Sequence, residues 1–224
     1  LIYYGRTEPL PVSGISEMNH TDRNFFEYLR TVFKPKYDKV TVLLHTNGGS
    51  ISTAIELTEF LRSVYGDKIT TIVCESARSS GTFLSLSSDH LYVENNPSAG
   101  LSDFVPISGP KNPVTRHQAK LFVEQFSTTV QANIGDGLLK FRSADDVFNI
   151  VNQISPLYIM SAISHYDMNF DQLKHIIPDE LKALKDHEDV ELIRASHETI
   201  KKIMDTKDNE LRKVILLGSY YHVD

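Results

Sequence analysis

The chain has a single cysteine, Cys74, among its 224 residues. One thiol makes no internal disulfide and starts no zinc site, which fits a reducing compartment and sets a cytoplasmic location as the expectation. Basic residues are the minority, 23 Lys and Arg against 29 Asp and Glu, for a formal charge of −6. A surface of that sign repels phosphate backbones, which argues against nucleic acid as a partner. No apolar run reaches the roughly 20 residues that a membrane-spanning helix needs. Internal repeats and low-complexity tracts are absent as well. The first residue is Leu1 rather than methionine, which leaves room for a leader or anchor upstream and keeps membrane association open. What is present is 41% hydrophobic residues, enough to bury a sizeable core in one ordinary domain with a small appendage.

Apolar periodicity orders the chain. Leu1 to Tyr4 read as a short strand, and Pro9 and Pro11 interrupt the stretch after it. Thr21 offers an N-cap to a helix with Phe25, Phe26, Leu29, Val32 and Phe33 on its apolar side, ended by Pro35. Val40 to Leu44 and Ile69 to Cys74 are apolar runs of strand length, as buried parallel strands should be. Between them Ile51, Ala54, Ile55, Thr58 and Leu61 share a helical face opposite Glu56 and Glu59, closed by Gly66. Small residues come next, then a short apolar run from Phe83 to Leu86 and a third strand, Leu91 to Val93. Strand, helix, strand, helix, strand implies a parallel sheet with right-handed crossovers.

Residues 94–113 hold four prolines and two glycines and read as a surface loop. Helices resume at about Thr115, with Ala119, Phe122, Val123, Phe126 and Val130 as one stripe and Val147, Ile150, Val151 and Ile154 as another. Residues 179–213 are dense in charge of both signs. They read as a solvated helical hairpin with Leu181, Leu184, Leu192, Ile193, Ile200 and Ile203 on its buried side, and Val214 to Val223 as an edge strand.

In a parallel sheet, reactive groups gather where strand ends lead into helices. Two turns fall there, Gly48-Gly49 after one strand and Ser79-Ser80-Gly81 after the next. A glycine has no Cβ to block close approach to a ligand, and the first N–H groups of a helix lack intrahelical acceptors. Together the turns offer a hydroxyl nucleophile and two backbone donors, the set that acyl transfer requires. Each turn taken alone reads equally well as a tight turn or an N-cap.

The run Leu43-Leu44-His45-Thr46-Asn47-Gly48-Gly49-Ser50 before an amphipathic helix resembles the first glycine motif of the Clp-protease/crotonase-like superfamily. Within it the likeness is greatest to the branch of signal peptide peptidase A and the serine dehydrogenase proteinases. Glu75-Ser76-Ala77-Arg78-Ser79-Ser80-Gly81-Thr82 resembles that branch's nucleophile motif, and Ser88 to Gly100 its next strand and proline-glycine loop. The resemblance covers residues about 38–105 well and continues faintly to about 177; it implies an α/β fold of parallel strands with crossover helices for a domain of residues 1–177, while residues 178–224 read from their charge as a helical C-terminal extension with an edge strand. It implies a serine-type peptide hydrolase acting on a peptide or protein, with Ser79 as nucleophile and the N–H groups of Gly49 and Ser80 as oxyanion hole. Ser80 is itself a serine where the family usually has alanine, glycine or methionine, so a one-residue shift would exchange the roles. Asn47 stands where proline is usual.

A serine hydroxyl needs a proton acceptor. The Clp branch uses a histidine about two dozen residues after the serine, a window that here holds Ser102 and Asp103 and no histidine. The signal peptide peptidase branch uses lysine. Leu139-Lys140-Phe141-Arg142 resembles its lysine segment, which makes Lys140, 61 residues beyond Ser79, the general base. Lysine serves as a base when desolvation lowers its pKa, and Leu138, Leu139 and Phe141 permit that. Lys120, Asp103 and His117 are the alternatives. The resemblance also implies homo-oligomers in which a neighbouring subunit can supply the lysine, and it calls for no metal or organic cofactor. Two other readings stand beside the hydrolase: a coenzyme A thioester enzyme using the same oxyanion geometry, and a non-catalytic scaffold that kept the fold and lost its base.

Overall fold

The computed structural model describes residues 1–5, 18–19, 22, 24–26, 28, 38–96, 99–102, 167–176, 181–205 and 213–216. The first half holds β1 (Ile2–Gly5), β2 (Val40–His45), α1 (Ile51–Tyr65), β3 (Ile69–Val73) and β4 (Ser76–Ala77). Next come α2 (Ser80–Leu86), β5 (His90–Val93) and β6 (Gly100–Ser102). Further on lie β7 (Asp167–Asn169), α3 (Phe170–Ile176), β8 (Leu181–Ala183), the 3-10 turn Leu184–Asp186, α4 (Val190–Asp205) and β9 (Lys213–Leu216).

The architecture is α/β. The main sheet runs β8-β5-β3-β2-β1-β9. Its first five members are mutually parallel, and β9 closes one edge antiparallel to β1, pairing Tyr3 with Ile215. A small second sheet, β4-β6-β7, stands beside it, with β4 parallel to β6 and β6 antiparallel to β7.

Alternate residues of the central strands enter two different cores, which is why those strands are mostly apolar and β-branched on both faces. Val42, Leu44, Ile69 and Val73 pack with Ala54, Leu57 and Leu61 of α1 and with Phe83 and Leu84 of α2. Leu43, Ile72 and Cys74 face the other way, against Leu184 and Ile193. Ser50 caps α1, its hydroxyl accepting from Thr53 N–H at 3.3 Å, and Gly66 ends it with a φ of 59°. The buried side of α1 also includes Phe60, stacked on Phe26 at 6.4 Å, which the apolar face read from sequence left out.

Two readings from sequence change. Within residues 94–113 the chain is not loop throughout: β6 forms there and Leu101 is fully buried. Three residues are too few for a period to register, and the strand exists because β4 and β7 flank it. The start of residues 179–213 is likewise not helical, since β8 joins β5 at the edge of the main sheet. In α4 the buried stripe is Ile193, His197 and Met204, while Leu192 and Ile203 are exposed, 53% and 49%. A histidine taking a core position turns the helix away from the face that aliphatic residues alone would choose. Of the edge strand expected over Val214 to Val223, β9 holds residues 214–216, and residues 217–223 lie outside the described residues. Among the described residues no helix is long and apolar enough to cross a membrane.

The end of α1 is pinned by charge. Arg62 donates twice to the Asp89 carboxylate, at 2.8 and 2.7 Å, and also to the carbonyl of Ser87, while Asp89 accepts from Ile69 N–H at 2.9 Å. Both side chains are largely buried, 10% and 14% exposed. Removing Asp89 leaves the largely buried Arg62 charge to the exposed Asp67 carboxylate at 3.7 Å, so Asp89→Ala should cost about 3 kcal/mol in chemical denaturation. A loss below about 1 kcal/mol would show that the pair is solvated.

Candidate active site

The turns after β2 and β3 meet. Thr46 N–H donates to the Ser76 carbonyl at 3.1 Å and Arg78 N–H to the Thr46 carbonyl at 2.9 Å, a parallel bridge between Thr46 and Ala77. Two glycines make the approach possible. A Cβ on Gly81 would lie 2.5 Å from Thr46 Cγ2, and a Cβ on Gly48 would lie 2.6 Å from both Ser79 Cβ and the Arg78 carbonyl oxygen. Gly48 and Gly49 also have φ values of 97° and 131°, which side-chain-bearing residues rarely adopt. A second bridge holds the glycine turn from its other side, with Met18 N–H on the Gly48 carbonyl at 2.7 Å and Ser50 N–H on the Met18 carbonyl at 2.8 Å.

Ser79 N-caps α2 with φ 51° and ψ −116°, the only non-glycine positive φ among the described residues. Such a backbone costs on the order of 1–3 kcal/mol and persists where surrounding bonds enforce it. Here those bonds are the Thr46–Ala77 bridge and Gly81 N–H on the Arg78 carbonyl at 2.8 Å. The Ser79 side chain is half-buried. Ser80 is buried, 1% exposed, with its hydroxyl donating to Met18 Sδ at 3.5 Å. The neighbouring serines thus differ in kind: one hydroxyl is turned into the core, while the other sits on a strained turn against the glycines. Among the described residues, no backbone carbonyl takes the N–H of Gly49 or of Ser80.

The serine-rich helix behind this turn stays dry because its hydroxyls bond backward to carbonyls. Thr82 Oγ1 reaches Ala77 O at 2.8 Å, and Ser85 Oγ reaches Gly81 O at 2.9 Å. Lys140, Lys120, Asp103 and His117, the proposed base and its alternatives, lie outside the described residues. Gly48, Thr46 and Arg78 shape the site beside Gly49 and Ser80; the sequence places Gly48 in the turn but gives none of the three a role. The composition of the turn marks both glycines; which one is packed against the serine is a tertiary fact. Met18 gives no signal in the sequence at all.

Beneath the turns, His45 stacks on Tyr4 at 4.3 Å between ring centroids and meets the His197 ring at 5.9 Å. Burial dominates and pushes the His45 pKa down to about 3. The folded chain therefore holds a neutral imidazole that the unfolded chain protonates below about 6.5. Its contribution to stability is complete above that pH and is lost as pH falls toward 3. Between those limits His45→Gln should flatten the acid limb of the stability curve by up to about 1.4 kcal/mol per pH unit. Parallel limbs for the two proteins would contradict this.

A cavity of about 550 Å³ lies elsewhere, between the ends of β3 and β5 and α4, lined by Cys74, Glu75, Glu94, Arg194, His197 and Lys201 among others. Two of its three carboxylates are paired with cations. Arg194 grips Glu94 through two bonds of 2.9 Å, and Lys201 bonds Glu75 at 2.8 Å. Donors from His197 and Lys201 hold the Glu75 carboxyl down, to about 2, and burial pushes the Cys74 thiol up to about 12, which keeps it protonated and inert. Among the described residues no group of three or more His, Cys, Asp or Glu side chains could hold a metal ion.

No protein-family model matches the chain, and no curated protein matches its sequence.

Proposed function

We propose that this chain is a serine-type peptide hydrolase of the Clp-protease/crotonase-like fold, in the branch of signal peptide peptidase A and the serine dehydrogenase proteinases. The observation that carries the reading is a half-buried serine at positive φ, set against a diglycine turn. Parallel strands whose ends bear both motifs support it, as does the small second sheet that begins just beyond the exit of β3. Ser79 Oγ attacks the peptide carbonyl while Lys140 takes its proton. The N–H groups of Gly49 and Ser80 receive the charge that develops on the carbonyl oxygen. Lys140 returns the proton to the departing amine, and water then opens the acyl-enzyme by the same route. The substrate is a peptide or protein, the working state a homo-oligomer, and the location the cytoplasm.

The test is hydrolysis of fluorogenic peptide amides and of an unfolded protein. The wild type should cleave, Ser79→Ala should not, and Lys140→Ala should lose at least about 10²-fold in kcat at neutral pH. Absence of cleavage together with a Tm raised by coenzyme A would replace the hydrolase with a thioester enzyme. Silence in both assays would leave a scaffold.

A further inference from the structure

Successive glycines at positive φ make the most pliable stretch a backbone can have, yet an oxyanion hole works only if its donors are fixed before charge develops. The turn after β2 therefore needs stiffness from outside itself. Part comes from Thr46 Oγ1, which accepts from Gly48 N–H at 3.0 Å, and part from the Met18 bridge. The Met18 side chain also accepts from Ser80, and the Thr46–Ala77 bridge joins the two backbones. A further side-chain bond crosses between the turns: Arg78 Nη1 donates to Asn47 Oδ1 at 3.0 Å. Its ends are the residue before Gly48 and the residue before Ser79. The Arg78 backbone is anchored on both sides, by its N–H on Thr46 and by Gly81 N–H on its carbonyl. The guanidinium thus reaches back from a fixed point. Both side chains are half-buried, where such a bond is less screened than on an open surface.

We propose that Arg78 and Asn47 are positioning residues for the hydrolysis, a clamp that holds the Gly49 amide in register with Ser79; this rests on the hydrolase reading. Arg78 touches no reacting atom. Its charged donor makes this one contact stronger than a neutral hydrogen bond and resists separation of the turns. An amide displaced by about 1 Å from the oxyanion loses most of its effect.

Steady-state hydrolysis and the rate of fluorophosphonate inactivation test the clamp in Asn47→Ala, Arg78→Ala, the double variant and Asn47→Asp. Each alanine should lower kcat and the inactivation rate about 10- to 100-fold with KM within about threefold of wild type. The double variant should be little slower than the worse single, because the Arg78–Asn47 bond is already lost in each single. Asn47→Asp keeps an acceptor for Arg78 and should retain most of the activity, which a merely structural role for asparagine would not give. Single alanines within about twofold of an active wild type, a double variant at the product of the singles, or Asn47→Asp as slow as Asn47→Ala would each overturn the clamp and leave the hydrolase standing. A wild type that neither cleaves nor reacts overturns both.

Discussion

Ser79→Gly should fold more stably than Ser79→Ala, by about 1 kcal/mol, with both proteins inactive. At ordinary positions the order is the reverse, since glycine loses more backbone freedom on folding, a cost of roughly 0.5–1 kcal/mol. The inversion stems from φ 51°, ψ −116° at this residue. A Cβ is strained there by on the order of 1–3 kcal/mol, and only glycine relieves it. Alanine keeps the strain and deletes the hydroxyl, so it isolates the chemistry; kcat should fall at least about 10³-fold. Paired denaturation curves check the first part and hydrolysis the second. An alanine variant more stable than the glycine variant would mean that the turn is relaxed and that its odd dihedral serves no purpose. The Thr46–Ala77 bridge holds that strain in place on a half-buried residue, beside Ser80, which is buried.

The second large effect concerns the two close-packed glycines, which should respond differently to the same methyl group. Gly81→Ala drives a Cβ to 2.5 Å from Thr46 Cγ2, a fully buried methyl on a stiff β-branched side chain. Overpacking of this kind costs about 1–3 kcal/mol. Thr46→Ser deletes that methyl and keeps the oxygen that accepts from Gly48 N–H. The pair Thr46→Ser and Gly81→Ala should therefore regain most of the lost stability, a coupling readable in a double-mutant cycle. Gly48→Ala should cost on the order of 3 kcal/mol or more and find no such partner. Its Cβ meets the Arg78 carbonyl oxygen, which is backbone, and its φ of 97° is hostile to any side chain. Additive costs for Thr46→Ser and Gly81→Ala would show that α2 does not lean on the end of β2 as described.

The parts legible in the sequence are those that carry their own period. Val40 to Leu44 and Ile69 to Val73 declare themselves as short runs buried on both faces, and α1 by the turn of its helix. The order of those elements dictates the crossovers. β4 and β6 have two and three residues and exist through pairing alone, so no local pattern announces them. His197 entering the core at the place of an aliphatic residue hides the true face of α4. At the site, composition marks the diglycine and the serine pair. The close contact of Gly48 with Ser79, the bridge from Met18 and the reach of Arg78 to Asn47 are products of the fold. Asn47 and Arg78 stand 31 positions apart, and Met18 and Ser80, whose side chains touch, stand 62 apart. At such separations a sequence gives no hint of contact.

The central claim is that one particular hydroxyl faces a pair of main-chain amides. Incubation with a fluorophosphonate, digestion, and sequencing of the labelled peptide by tandem mass spectrometry read this directly. A single phosphonylated side chain, Ser79, that disappears in Ser79→Ala is the predicted result; a label on Ser80, or on neither serine, would contradict it.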